Sequence, residues 1–295
     1  MLMISILIPC YDYDAYPIVS KIEKQALILN IDFEIICIDD GSFSSKNEHN
    51  QKINLLTNCK FIETKKNIGR VKNRVLLAES AQYDWVIFID VDTTPSDYFL
   101  SRYIELIDKN SIVFGGCFFD KPKGSENNFL RYEFGKNREA KKSLTRNKSP
   151  YKFMSSRNFM GRRELILSIF SKITNSSYGN DYMLGSILKE RKINVVHVDN
   201  EVSVNEIEEN KIFIEKTKKA LDNLYKNYRE NKIKTHDISI LSAFIFLEKF
   251  LLKKLFLKFS ALFRNSINNS LNSQIPSLFL FDIFRLDYLC NIKDS

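Results

Sequence analysis

With 295 residues, 44% of them hydrophobic, the chain is long enough for one large domain or a domain with an appendage, and nothing in its composition fits a disordered polymer. A formal net charge of +8 points to an anionic substrate, a membrane surface or nucleic acid. The five cysteines (Cys10, Cys37, Cys59, Cys117 and Cys290) are dispersed, odd in number and without a Cys-x-x-Cys pair, which argues against a zinc site or a disulfide framework and suits a reducing cytoplasm.

Residues 1–8 are apolar, but they carry no basic leader or small-residue cleavage site, and Pro9 and Asp12 follow at once. They are expected to form a first strand over 4–9, not a signal peptide. A polar, aromatic loop (10–14) leads to a helix over about 15–29, with Ile18, Val19, Ile22, Ala26, Leu27 and Leu29 at helical spacing. Residues 33–38 form a second strand that ends in Asp39-Asp40-Gly41-Ser42, and 61–63 a short third strand. Asn67-Ile68-Gly69-Arg70 then turns into a helix with Val71, Val75, Leu76 and Ala78 on its apolar side. The unbroken apolar run Trp85 to Ile89 reads as a strand buried on both faces, closing in Asp90-Val91-Asp92-Thr93-Thr94-Pro95. This β-α-β alternation predicts an α/β fold with a doubly wound, mainly parallel sheet.

Further along, a helix is expected over 96–107, a strand over 112–118 and a short helix over 129–141. Residues 143–150 read as a mobile loop, 153–160 as extended chain, and 176–181 as a polar turn entering a helix. A last strand over 195–198 precedes a charged helix over 207–228, and residues 231–235 read as a linker. Beyond it, 238–263 reads as one helix. Leu251, Leu252, Leu255, Phe256, Phe259, Leu262 and Phe263 share one side, and Lys249, Lys253, Lys254, Lys258 and Arg264 lie mainly opposite. Two outcomes stay open for it: packing on the preceding domain, or an anionic membrane surface. A final short helix begins near Pro276. No uncharged run approaches the roughly 18 or more residues that span a bilayer.

The acids cluster at strand ends and loops, where ligands sit in parallel α/β sheets. Asp90 and Asp92, one residue apart, offer hard oxygens of the kind that carry Mg²⁺ or Mn²⁺ with a diphosphate; two solvated aspartates opening a turn are the alternative. Asp39 or Asp40 can accept a hydrogen bond from a base or ribose, and Tyr11 can stack on the base. Arg70, Lys72 and Arg74 offer positive charge to a diphosphate or an acidic partner, or form a solvated helix face. Asp181 precedes an apolar helix and serves either as its cap or as a base. His197, in an apolar run, reads as a satisfied structural histidine. The chain contains no Gly-x-Gly-x-x-Gly after its first strand, no P-loop and no Ser-centred nucleophile elbow.

Together these residues resemble inverting family-2 glycosyltransferases of the GT-A fold, over roughly residues 4–224. Ser5-Ile6-Leu7-Ile8-Pro9-Cys10-Tyr11 is similar to the family's strand-Pro-x-Tyr opening, and Asp39-Asp40-Gly41-Ser42 to its nucleotide-cradling signature. Asn67-Ile68-Gly69-Arg70 with Arg74 matches its Asn-x-Gly…Arg segment, and Asp90-Val91-Asp92 its metal-diphosphate motif. Tyr178-Gly179-Asn180-Asp181 stands where the family has Gly-x-Glu-Asp, with the aspartate as general base. The resemblance implies a nucleotide-sugar site of Pro9, Tyr11, Asp39, Asp40, Gly69, Arg74, Asp90 and Asp92, metal on Asp92 and Asp90, and Asp181 as base. It also implies Mg²⁺ or Mn²⁺ as cofactor, a UDP-sugar donor, a glycan or lipid-linked acceptor in surface polysaccharide synthesis, and no nucleic-acid partner. The place is the cytoplasm, peripheral at the inner face of the membrane. The expected organisation is a GT-A domain over 1–230 and a helical amphipathic extension over 236–295. The sequence departs from the pattern at Asp12 (usually Asn), at Asn180 (usually Glu) and at Val204, where related sequences carry a metal-ligating histidine. These departures motivate the rival expectation, a catalytically impaired nucleotide-sugar-binding or scaffold subunit.

Overall fold

Why the first strands read as unbroken apolar runs is plain from their surroundings: both faces of the sheet are covered. The computed structural model describes residues 3–107, 111–121, 127–173 and 178–293; Met1 and Leu2 of the apolar N-terminus, and Ser176 and Ser177 of the expected polar turn, lie outside the described residues. The strands in chain order are β1 (Met3–Cys10), β2 (Asp32–Asp39), β3 (Cys59–Glu63), β4 (Trp85–Ile89), β5 (Thr93–Thr94), β6 (Ser111–Phe114), β7 (Cys117–Phe119), β8 (Asn158–Arg162), β9 (Asn194–His197) and β10 (Val202–Val204). The main sheet has the order β3-β2-β1-β4-β8-β6-β9, parallel except where β8 runs against β4 and β6. Along β4, Trp85, Ile87 and Ile89 enter one core while Val86 and Phe88 enter the other, so a single run supplies both layers.

The helices are α1 (Tyr16–Leu29), α2 (Lys46–Asn50), α3 (Arg70–Ser80), α4 (Phe99–Ile104), α5 (Phe129–Phe134), α6 (Ser143–Asn147), α7 (Arg163–Phe170), α8 (Asn180–Glu190), α9 (Asn210–Arg229), α10 (Ser239–Lys249), α11 (Lys253–Leu262), α12 (Arg264–Leu271) and α13 (Leu278–Asn291). The helix expected over 96–107 is shorter, α4 alone, and that over 129–141 is α5 running into a π turn, Gly135–Glu139.

The strand expected over 112–118 is two strands in two sheets. A Cβ on Gly115 would lie 2.5 Å from Asn158 Nδ2 and from Asn200 O, and Gly116, at φ 89°, faces the Arg146 guanidinium. The chain therefore leaves the main sheet after Phe114 and enters a small sheet of order β5-β10-β7.

The mobile loop expected over 143–150 is instead pinned. It contains α6, and Arg146, fully buried, donates to the carbonyls of Lys141 (2.8 Å), Phe114 (3.0 Å), Gly115 (3.2 Å) and Val198 (2.6 Å). Its Nη1 also donates to His197 Nδ1 at 3.0 Å, which leaves Nε2–H to donate to Pro150 O at 2.8 Å. His197 is structural, and burial, with the neighbouring guanidinium, pushes its pKa down to about 4.

The C-terminal helices share the cores of the sheet domain. Leu241, Phe244 and Leu289 are buried with Phe88, and α12 and α13 close a further cluster around Leu130, Phe213 and Phe281. The single helix expected over 238–263 is broken at Leu251, which adopts φ 56° between α10 and α11.

Candidate active site

Two sequence motifs interlock at the carboxyl ends of β2 and β1. Gly41, at φ 64°, packs on the Asn67 turn so closely that a Cβ would meet Lys66 C at 2.4 Å. Asp40 grips the same turn, its oxygens accepting the N–H groups of Ile68 (2.7 Å) and Gly69 (2.9 Å). Burial raises its pKa and those two bonds oppose the rise. Asp39 is buried and accepts from Ser42 N (2.8 Å), Ser42 Oγ (2.7 Å) and Asn47 Nδ2 (3.2 Å). Both acids thus hold the turns that follow β2 and β3, with Pro9 near the end of β1 and Tyr11 exposed beyond it. Asp12, at φ 50°, accepts from Ser44 Oγ at 2.6 Å and pairs with Lys46 at 3.2 Å.

Gly69 starts α3 and so aims its third buried side, Arg74, at the end of β4. There Arg74 Nη2 pairs with Asp90, and the same group donates to Ser156 O at 3.4 Å. Arg74 finds its acidic partner inside the protein, whereas Lys72 stays in solvent and Arg70 stacks 4.4 Å over the Tyr178 ring. Asp90 is fixed further by its N–H on Arg157 O at 2.9 Å. Two residues on, Asp92 has a raised pKa, first through burial and then through Asp90, against the pull of Arg157.

The Ser155–Arg157 segment before β8 carries the link to the other half of the site. Ser156 N–H donates to the Asp181 carboxylate at 3.1 Å. Asp181 lies in the first turn of α8, whose cap is Gly179 at φ 84° with no side-chain capping bond, so its carboxylate serves the β8 approach and not its own helix. Burial raises its pKa, and Ser156, Arg74 and Arg157 moderate the rise. Arg70, Arg74, Ser156, Asn180 and Asp181 line one narrow cleft. A separate cavity of about 620 Å³ between Phe129, Tyr132 and Pro276 contains none of the motif residues.

The small sheet brings the Val204–Asn205 segment, far downstream in the chain, to Asp92. Val204 pairs with Thr93 across β5 and β10, and Asn205 N–H donates to Asp92 O at 3.1 Å. Val204, the position to which the resemblance assigns a histidine, therefore lies beside the Asp-x-Asp turn as a buried valine. Among the described residues no group of three or more His, Cys, Asp or Glu side chains comes together as a metal cage. With Asp90 paired to Arg74, Asp92 is the carboxylate that would be left to a hard cation, whose preference is for such oxygens.

Sequence reading missed Ser156, Arg157, Tyr13 and Glu206. Burial opposes the charge on Arg157, but Cys117, Glu139, Asp90 and Asp92 outweigh it and raise its pKa. Tyr13 bonds Asn205, and both Glu206 and Asp92 act on its hydroxyl. None of these residues stands in a motif; only the Tyr11-Asp12-Tyr13-Asp14 cluster of aromatics and acids hinted at Tyr13.

A mainly parallel sheet with acids gathered at its strand ends defines an α/β protein of the class that holds ligands at the carboxyl ends of its strands. The family model described as glycosyl transferase family 2 matches residues 5–170. The chain belongs to that family and is a glycosyltransferase of the GT-A type. The match covers the motifs from Ser5 to Asp92 and ends before Asp181. Among solved structures, the chain is similar to TarS of S. aureus (15% identity, TM-score 0.50, covering 85% of this chain and 43% of that one). It is also similar to the mannosyltransferase PcManGT of Pyrobaculum calidifontis, solved with GDP-Man and Mn²⁺ (13% identity, TM-score 0.51, covering 77% of this chain and 64% of that one). The chain thus spans less than two thirds of either relative. Comparison with curated proteins gives no match.

Proposed function

We propose that this chain is an inverting transferase. It moves one sugar from a nucleotide-diphosphate donor, a UDP-sugar in our reading, to a hydroxyl of a glycan or lipid-linked acceptor of surface polysaccharide, at the inner face of the membrane. The observation that carries this is that Asp181 lines the same cleft as Arg74, whose guanidinium pairs with Asp90 at the end of β4. Asp181 takes the proton of the acceptor hydroxyl as its oxygen bonds to the anomeric carbon. The bond from that carbon to the diphosphate oxygen breaks, and its electron pair leaves with the nucleotide. A base with a raised pKa is well matched to this step, since it holds the proton more firmly once taken. Asp39, Asp40 and Gly69 hold the nucleotide wall, Pro9 and Tyr11 flank it, and Arg74 keeps Asp90 in place.

Asp92, with Asp90 behind it, would hold Mg²⁺ or Mn²⁺, which when bound supplies positive charge to the departing diphosphate. Residues 1–230 form the catalytic unit and 236–295 its helical extension. Val204 and Asn180 favour the rival reading, a nucleotide-sugar-binding subunit without turnover. The test is release of UDP or GDP from a panel of nucleotide sugars by purified protein, with and without Mn²⁺. Release with at least one donor is expected; donor binding without release under any condition would give the rival its case.

A further inference from the structure

Sequence left the tail with two fates, and on either side of the break at Leu251 one side of it is packed and the other is open. α10 and α11 are held from one side: Leu241 and Phe244 are buried, Phe256 and Leu257 pack on the core, and Ser260 Oγ donates to Asp287 of α13. The opposite side is apolar and open. Leu255, Phe259 and Leu262, at i, i+4 and i+7, form a ridge along α11, with Leu255 65% and Leu262 80% exposed. Phe246 of α10 and Phe250 just past its end are exposed too, their ring centroids 4.7 Å apart. Between α10 and α11, Leu251 is 89% exposed and sits at φ 56°, a conformation that a branched side chain rarely takes.

The charge around this ridge names its partner. Lys254 and Lys258 each precede a ridge residue by one position and stand exposed on its flank, with Lys249 and Arg264 exposed at its ends. The one acid between residues 239 and 264, Glu248, is already paired with Arg229 of α9. An apolar ridge edged by cations with no acid free to repel phosphate fits a bilayer of anionic lipid.

We propose that the α10–α11 elbow docks on an anionic lipid surface, with Leu251, Leu255 and Leu262 entering the acyl boundary and the lysines meeting headgroup phosphates. This rests on the reading of a membrane-side acceptor and gives it a surface. The acceptor class that follows is one carried in the same bilayer, a glycan on a lipid anchor.

The test is flotation of the full chain with phosphatidylcholine vesicles, with and without phosphatidylglycerol. Binding is expected only with phosphatidylglycerol, and it should weaken as salt screens the lysines. Leu251→Asp with Leu255→Asp should lower partitioning by about tenfold or more, and Lys254→Glu with Lys258→Glu should remove the salt-sensitive binding. Thermal melting checks that both variants fold. Donor hydrolysis in solution should be unchanged in both, so a chain that floats but never turns over refutes the transferase reading alone. The proposal is overturned if the native chain stays with the unbound fraction, or if the double aspartate variant floats equally. It is also overturned if sedimentation shows that the ridge holds two copies together and the aspartates merely separate them.

Discussion

The Arg74–Asp90 pair is the joint between the two halves of the site, and its removal gives the sharpest energetic prediction. Arg74 keeps only 7% of its side chain in solvent and Asp90 26%. Arg74→Met preserves the stem and removes the charge. Orphaning one partner of a buried ion pair costs about 3–5 kcal/mol, but solvent at Asp90 screens part of that, so we expect about 2–3 kcal/mol. Asp90→Asn alone should cost less, because it leaves a guanidinium that still donates to Ser156 O and to Arg70 O, at 3.4 Å each. The double variant should fall short of the summed single costs by about 2 kcal/mol, the coupling of the pair. Urea denaturation of the four proteins measures this. Additivity within about 0.5 kcal/mol would refute the joint, since uncoupled sites behave that way.

Asp40→Ala should destabilise by about 2–3 kcal/mol through two lost charge-assisted bonds and should weaken UDP-sugar binding in calorimetry, with Asp39→Ala doing the same; unchanged affinity in both would move the nucleotide elsewhere. Val204→His should tighten Mn²⁺, because it adds an imidazole opposite Thr93; titration with and without UDP reads the gain, and an unchanged affinity would count against the register argument. His197 gives a pH dependence of known sign. Its folded pKa lies near 4, below the ordinary value of 6.5, so the unfolded chain binds the extra proton first and stability falls as pH drops between those values. The loss over that window is about 3 kcal/mol and should vanish from the denaturation profile of His197→Gln.

Much of this molecule was legible because its signals are local. The runs at β1, β2 and β4 announce strands with both faces covered, and the acids that end them stand where such sheets bind ligands. What stayed hidden depends on distant partners. β5 and β10 are two and three residues long and exist only because they pair with each other and with β7. Residues 143–150 look like a polar loop until Arg146 is seen filling the space beside Gly116. Ser156 and Arg157 carry no motif, yet one bonds Asp181 and the other Asp90. The helical pattern across 238–263 was real on each side of Leu251, but periodicity alone cannot show a left-handed residue in its middle.

The central claim is that Asp181 removes the acceptor proton, and Asp181→Asn tests it. Asparagine keeps the shape and can still accept from Ser156 N–H, but it cannot take a proton. The measurement is turnover and donor affinity of the native chain and the variant, across pH. The account predicts turnover down by on the order of 10²–10⁴ with donor affinity nearly unchanged. It also predicts, for the native chain, an acid limb displaced above that of an ordinary aspartate, because burial raises this carboxyl. Near-native turnover by Asp181→Asn would contradict it.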